Sequence, residues 1–293
     1  MGFAFFFSAL SPRSSALALC YDIRVSDLVD VVVYGSAGRM GQAVIRLVLD
    51  STRARLACAL VRPSSGLADE PLDRVFGTLK RDVDFSTSLD PDVPCDVLVD
   101  FSGPVSFDAA LALALERRIA FVSGTTGLHD GHHAALDHAA KSIPVLWASN
   151  FSLGVAMLER IARRVATALP DWDCEIIEMH HRRKRDAPSG TALTLGRIVA
   201  EARGITLESY VRYGRQGQVG PRPPGEIGFA ALRGGDVVGE HTVIFASDGE
   251  RLELTHRATD RDIFARGALE AAIWIAHRQP GLYTFDQVLA PAE

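Results

Sequence analysis

Lysine is scarce in this chain. Lys80, Lys141 and Lys184 stand against 28 arginines among 31 basic residues. Arginine serves wherever a plain positive charge suffices, so a surviving lysine points to work that needs a releasable proton. Cysteine is sparse too: Cys20, Cys58, Cys95 and Cys174 are widely separated, with no C-x-x-C pair. That excludes a zinc ribbon or a disulfide framework and fits buried free thiols in a reducing compartment. No apolar run in the chain reaches the ~18 residues of a bilayer-spanning helix. Neither charge sign dominates, since 31 basic and 36 acidic residues leave −5. Global attraction to nucleic acid or to an anionic membrane is thereby excluded, and any anion site must be local. Hydrophobic and charged fractions of 47% and 23% exclude disordered, collagenous and coiled-coil chains.

What is present divides the 293 residues into two domains and a leader. Residues 1–27 contain a short apolar run, Gly2 to Leu10, with no basic residue ahead of it and no acid before Asp22. They read as a disordered leader or a start assigned too early, with a targeting peptide as the alternative. Apolar strands are expected at 31–34, 56–61, 97–101, 120–123 and 145–148, alternating with helices at 39–50 and 109–118. That rhythm means βαβ units and a parallel sheet. Residues 67–89 give no regular pattern. After Asn150 a helix at 155–169, a strand at 175–180 and a helix at 191–202 are expected. Strands at 227–232, 237–245 and 251–256 follow with no helix between them, and a last helix covers 264–277. The expected fold class is α/β: a Rossmann-like parallel-sheet nucleotide domain at 28–151, then an α+β domain at 152–260 with an open mixed or antiparallel sheet.

Gly35-Ser36-Ala37-Gly38-Arg39-Met40-Gly41 lies between the first strand and the first helix. Glycines there permit a tight turn and close approach of a pyrophosphate, and a helix N-terminus supplies free N–H donors. The second strand ends Leu60-Val61-Arg62-Pro63, without the carboxylate that NAD sites place there. Arg62 can pair with a 2′-phosphate, so NADPH is the expected preference, with NADH accepted. Gly124-Thr125-Thr126-Gly127 and Ala148-Ser149-Asn150-Phe151 follow later strands, where open α/β sheets bind ligands.

The densest cluster is Glu178 to Ala192, EMHHRRKRDAPSGTA. Adjacent histidines at a strand end point to opposite faces, so only one of His180 and His181 need face a given pocket. The basic run suits an anionic substrate, and the helix opened by Ser189-Gly190-Thr191 favours a carboxylate. A histidine and Lys184 beside one anionic pocket are the parts needed to protonate a substrate during reduction. No aromatic accompanies the run, which argues against nucleic acid. His129, His132, His133 and His138 read as a solvated helix, and no metal site is expected.

These segments, with Gly225 to Phe245 (GEIGFAALRGGDVVGEHTVIF) and Gly249 to Ala258 (GERLELTHRA), resemble the 4-hydroxy-tetrahydrodipicolinate reductase family from about residue 28 to the C-terminus. The resemblance implies a cytoplasmic homotetramer of lysine and diaminopimelate biosynthesis that reduces a small dicarboxylate with NADPH or NADH. It implies loss of water from the hydroxylated ring, hydride transfer, and protonation by His180 as general acid/base and Lys184 as second donor. It assigns the substrate carboxylates to His181, Gly190 and Thr191. The pyrophosphate falls to the Gly35–Met40 loop, and the nicotinamide side to Gly124, Thr125, Thr126 and Ala148 to Phe151. It also returns residues 261–293 to the nucleotide domain and makes 152–260 the substrate-binding and tetramerisation domain. Two positions depart from the family pattern. Val61 stands where an acid is frequent, and Gly103 where a basic residue is frequent. Two alternatives stay open: another Rossmann-type dehydrogenase, which has no need of HHRRKRDAPSGT, and a non-catalytic nucleotide sensor.

Overall fold

Two sheets organise the chain in the computed structural model, which describes residues 28–77 and 83–289. The first part runs β1 (Val29–Tyr34), α1 (Arg39–Leu49), β2 (Ala54–Leu60), α2 (Asp73–Phe76), β3 (Phe85–Ser86) and β4 (Val97–Asp100). It continues α3 (Pro104–Arg117), β5 (Ala120–Ser123), α4 (Asp130–Ala139) and β6 (Pro144–Trp147). Then come α5 (Leu153–Ala168), β7 (Asp173–His180), α6 (Gly190–Ala202), α7 (Leu207–Tyr210), β8 (Val211–Tyr213), β9 (Ile227–Arg233), β10 (Gly239–Ser247) and β11 (Glu250–Ala258). Helix α8 (Asp262–Ile275), β12 (Gly281–Tyr283) and a 3-10 turn at Phe285–Leu289 complete the described chain.

Seven strands, in the order β12-β6-β5-β4-β1-β2-β3, form the first sheet, and every pairing in it is parallel. Its central strands β1, β4 and β5 are buried on both faces, which is why they read as unbroken apolar runs. Val31 and Val33 join α1 and α8 in one core, while Val32, Leu98 and Phe121 join α3 and α4 in another. Helix α8 sits very close to the chain it covers. A Cβ on Gly267 would fall 1.7 Å from the Phe151 carbonyl oxygen. Arg53, after α1, reaches Glu270 on α8 at 2.9 Å.

The second sheet has the order β11-β10-β7-β9-β8. Pairs β10–β11 and β10–β7 are antiparallel, whereas β7–β9 and β8–β9 are parallel. Of the two forms expected, mixed or antiparallel, the sheet is the mixed one. Helix α6 is a crossover between β7 and β9, and such a connection brings the next strand back parallel. Helices α5 and α6 cover one face, burying Cys174, Ile176, Phe229, Val243 and Phe245. The opposite face leaves Ala230 and Leu232 exposed and Ile177, Met179 and Ile244 half-buried.

Other expectations need adjustment. Helix α3 begins at Pro104 rather than at residue 109, because proline suits the first helical position. Residues 67–89 contain α2, β3 and an isolated bridge from Pro71 to Asp84. The histidines of α4 are not all solvated: His132 is buried, its ring edge-on to Phe107, and it pairs with His129 in a capping box. Among the described residues no cluster has metal-ligand geometry. Cys58 and Cys174 are buried free thiols and Cys95 is a half-buried one; Cys20 and the leader at 1–27 lie outside the described residues.

Candidate active site

Strand β1 delivers Gly35 at φ +85°, a backbone conformation that glycine adopts without strain. A Cβ there would also meet the Ser102 Cα at 2.8 Å, so the turn lies flat on the loop after β4. Gly35 and Ser36 donate their N–H groups to the Leu60 carbonyl, which ties the turn to the end of β2 and places Arg62 two residues beyond it. Helix α1 opens after Gly38 with no side-chain cap, and Ala37, Gly38 and Arg39 are exposed. Uncapped N–H groups beside an exposed, side-chain-free turn fit a pyrophosphate. Ser36 differs from its neighbours: its buried hydroxyl donates to the Val33 carbonyl at 2.8 Å and so braces the turn from within.

Behind this turn lies Asp100, fully buried at the end of β4. Its Oδ1 accepts from the Ser102 amide at 2.9 Å and hydroxyl at 2.6 Å, and its Oδ2 from the Ser123 hydroxyl at 2.7 Å and the Thr125 hydroxyl at 2.8 Å. One carboxylate therefore fixes both the Ser102–Gly103 loop and the Gly124–Thr126 loop. Gly124 is required for close packing, since a Cβ on it would strike the Phe101 ring at 2.1 Å. The Gly103 amide donates to Thr125 Oγ1 at 3.3 Å, and Trp147 Nε1 to the Thr125 carbonyl at 2.9 Å. Phe151 is buried between Phe101 and Phe285, so its ring belongs to the core beneath the site.

The segment after β6 meets the start of α6. Asn150 Nδ2 donates to Thr191 Oγ1 at 3.2 Å, which brings two separately expected motifs into contact. Around that contact opens a cavity of about 730 Å³. Trp147 to Asn150, His180, Lys184 and Ser189 to Thr191 line it, and it extends along α5 past Glu159, Arg160 and Arg163. Only Lys184 of the basic run lines it; Arg182, Arg183 and Arg185 are exposed to solvent. The run as a whole therefore does not form the anion pocket, as its composition had implied. Likewise His180 lines the cavity while His181 sits half-buried outside it, its buried Nδ1 without a protein partner.

Burial lowers the basicity of His180, and its hydrogen bond to Glu178 offsets this only in part. Burial alone would raise the Glu178 carboxyl, but hydrogen bonds from Arg233 and His180 overcome it and hold the group below its ordinary value. Lys184 Nζ lies 2.9 Å from Asp186 Oδ2. His241, buried on β10, makes an edge-on ring contact with His180 and hydrogen-bonds the Ser189 hydroxyl at 2.8 Å. Burial lowers its pKa to about 4, with the nearby His180 adding to the effect.

A base with a depressed folded pKa binds fewer protons in the folded than in the unfolded state. Its contribution is complete above pH ~6.5 and is lost as pH falls toward 4. Urea unfolding at pH 7.5 and pH 5 is expected to show the parent losing about 2 kcal/mol more than His241→Gln.

Glu178, Arg233, His241, Asp100 and Trp147 were not picked out as site residues from the sequence. Glu178 carried the one available signal: an acid two residues before His180 in an apolar strand shares its face.

A doubly wound sheet with an uncapped glycine turn, joined to a pocket holding a histidine and a lysine, defines a pyridine-nucleotide oxidoreductase. Residues 29–151 match the family profile described as dihydrodipicolinate reductase, N-terminus, and residues 154–289 the one described as dihydrodipicolinate reductase, C-terminus. The chain belongs to the dihydrodipicolinate reductase family. It is 47% identical over 267 residues to the 4-hydroxy-tetrahydrodipicolinate reductase of Cereibacter sphaeroides strain KD131, covering 90% of this chain and 99% of that protein. The enzyme of the same name from Beijerinckia indica is 44% identical over 88% of this chain and 96% of its own. In fold, the chain is similar to dipicolinate-bound dihydrodipicolinate reductase from Paenisporosarcina sp. TG-14, with a TM-score of 0.70 and 24% identity over 88% and 97% of the two chains. Membership in this family decides between the readings left open above: the chain is an oxidoreductase of lysine and diaminopimelate biosynthesis. No helix among the described residues is long and apolar enough to cross a membrane.

Proposed function

We propose that this chain reduces 4-hydroxy-tetrahydrodipicolinate to tetrahydrodipicolinate, with NADPH preferred over NADH, in the cavity between the two sheets. The observation that carries the reading is the Asn150–Thr191 contact. It sets the loops of the nucleotide side against the His180, Lys184 and Thr191 cluster in one cavity. The turn at Gly35–Met40 holds the pyrophosphate, and Gly124 to Thr126 with Ala148 to Asn150 face the nicotinamide. When bound, the reduced nicotinamide supplies the hydride. Gly190 and Thr191, at the N-terminus of α6 and lining the cavity, hold the substrate carboxylates, and His181, outside the cavity, does not reach them with its buried Nδ1. His180 and Lys184 hold the proton that the reduced ring takes up.

The described residues of 28–151 and 261–293 form the nucleotide domain, supported by the place of α8 and β12 on the first sheet. Residues 152–260 bind substrate and form a homotetramer through the uncovered face of the second sheet, a reading checked by light scattering. The free thiols fit a cytoplasmic enzyme.

The test is a coupled assay in which dihydrodipicolinate synthase supplies the unstable substrate from pyruvate and aspartate semialdehyde. Turnover followed at ~340 nm as cofactor absorbance supports the reading, and a folded, NADPH-binding protein without turnover refutes it. Arg62→Ala is expected to raise KM for NADPH about tenfold, the worth of one exposed charge-assisted pairing, while KM for NADH moves less than twofold.

A further inference from the structure

Glu178 is the most enclosed charged group of the second sheet, and it does not line the cavity. Four donors converge on it. Its Oε2 lies 2.6 Å from His180 Nδ1 and accepts from Arg233 Nη1 at 2.7 Å. Its Oε1 accepts from the Ser189 amide at 3.1 Å and from Arg233 Nη2 at 2.8 Å. Strand geometry makes the first contact possible, because residues two apart project from the same face. An ionised carboxylate only accepts, so the proton between it and the imidazole belongs to His180 Nδ1. Nε2 is then the nitrogen left for proton exchange. That edge of the ring rests on Gly239, where an added Cβ would lie 3.0 Å from Nε2.

The other two arms reach the substrate side. Ser189 caps α6, its hydroxyl accepting from the Ala192 amide at 3.2 Å, and the turn it anchors presents Gly190 and Thr191. Arg233 also donates to the Asp186 carbonyl at 2.7 Å, and Asp186 is the ion-pair partner of Lys184. A single buried carboxylate thus touches His180 directly, the N-terminal turn of α6 through Ser189, and Lys184 through Arg233 and then Asp186.

We propose that Glu178 is a positioning residue. It fixes His180 with hydrogen on Nδ1 and Nε2 free for proton exchange, and it sets that ring in register with the N-terminus of α6. The proposal rests on His180 being a proton donor. A buried ion pair with Arg233 could equally be retained for folding alone, and breaking such a pair destabilises a protein. The two roles differ in what they predict for the reaction.

The coupled assay on the full-length enzyme separates them, with Glu178→Gln, His180→Gln and the double variant. Glu178→Gln is expected to lower kcat at least 30-fold, with KM for the substrate within threefold and NADPH affinity unchanged. Removing the anion beside His180 leaves Lys184 and Arg233 opposing its protonation. The alkaline limb of the kcat profile should therefore move down by about one pH unit. In the His180→Gln background the Glu178→Gln change should cost less than twofold, because both act through one proton transfer. Nitrogen-15 NMR should show His180 in the Nδ1–H form in the parent and in mixed tautomers in Glu178→Gln.

The proposal is overturned by a folded Glu178→Gln with parental kcat and pH profile, or by losses that multiply in the double variant. If Glu178→Gln does not fold, Glu178→Gln with Arg233→Met removes both charges and serves instead, and a parental pH limb in it overturns the proposal as well. Undiminished turnover in His180→Gln refutes the role of His180 itself, a failure recognisable as distinct because it appears with Glu178 intact.

Discussion

Replacing Lys184 by alanine is expected to lower kcat by about 10²–10⁴-fold, the usual worth of a positioned proton donor. The affinity for NADPH should stay within threefold, because Lys184 lines the cavity on the α6 side while the pyrophosphate turn opens α1. Lys184→Arg should restore little: a guanidinium keeps the charge but does not release its proton near neutral pH. His180→Gln is expected to fall in the same range. The two losses should combine to far less than their product, since groups serving one proton transfer are not independent. Steady-state kinetics and fluorescence titration with NADPH check these outcomes, and parental turnover in Lys184→Ala would remove it from the mechanism.

The second large effect is expected at Gly41, in the first turn of α1. A Cβ there would fall 2.3 Å from the Gly35 carbonyl oxygen and 2.9 Å from the Ser36 Cα. Both obstacles are backbone, so no side chain can swing away to make room. Either the turn moves off the Phe101–Ser102 loop or α1 tilts and pulls Val44, Ile45 and Val48 from the core. Gly41→Ala should therefore cost roughly 3 kcal/mol or more, the upper end for overpacking. NADPH affinity should drop about 100-fold as the cradle loses its shape. Gly66→Ala is the control: nothing lies within 4 Å of its added carbon, and its stability should match the parent. Urea unfolding and cofactor titration measure both.

Much of this architecture was legible because fully buried parallel strands leave continuous apolar runs. Val31–Tyr34, Ala120–Ser123 and Val145–Trp147 all fell within expected strands. The three-residue strands β8 and β12 were not legible, since segments so short draw their pairing from their neighbours. The parallel pairing of β7 with β9 was hidden for a related reason. It depends on where α6 carries the chain, and local periodicity carries no record of that. At the site, His180, Lys184 and Thr191 stood out because residue type and spacing announce an anion pocket. Arg233 did not, being one arginine among 28 whose value lies in reaching Glu178 and the Asp186 carbonyl from a neighbouring strand. His132 escaped because amphipathic spacing cannot show that the ring edge meets Phe107.

The return of α8 and β12 to the first sheet has a consequence for the order in which the protein is built. The core around Val31, Val44 and Leu146 is closed by Ala265, Ala268, Ala272 and Ile275, and one of the sheet's two edge strands is Gly281–Tyr283. A ribosome delivers the N-terminal half first, yet one face of its sheet is only partly covered, by α1, until α8 has been translated. The second sheet, whose strands and helices are contiguous in sequence, can assemble while the tail is still in the exit tunnel. On the growing polypeptide, the part translated later is therefore the first to be complete, and the nucleotide pocket matures only after α8 and β12 have been made.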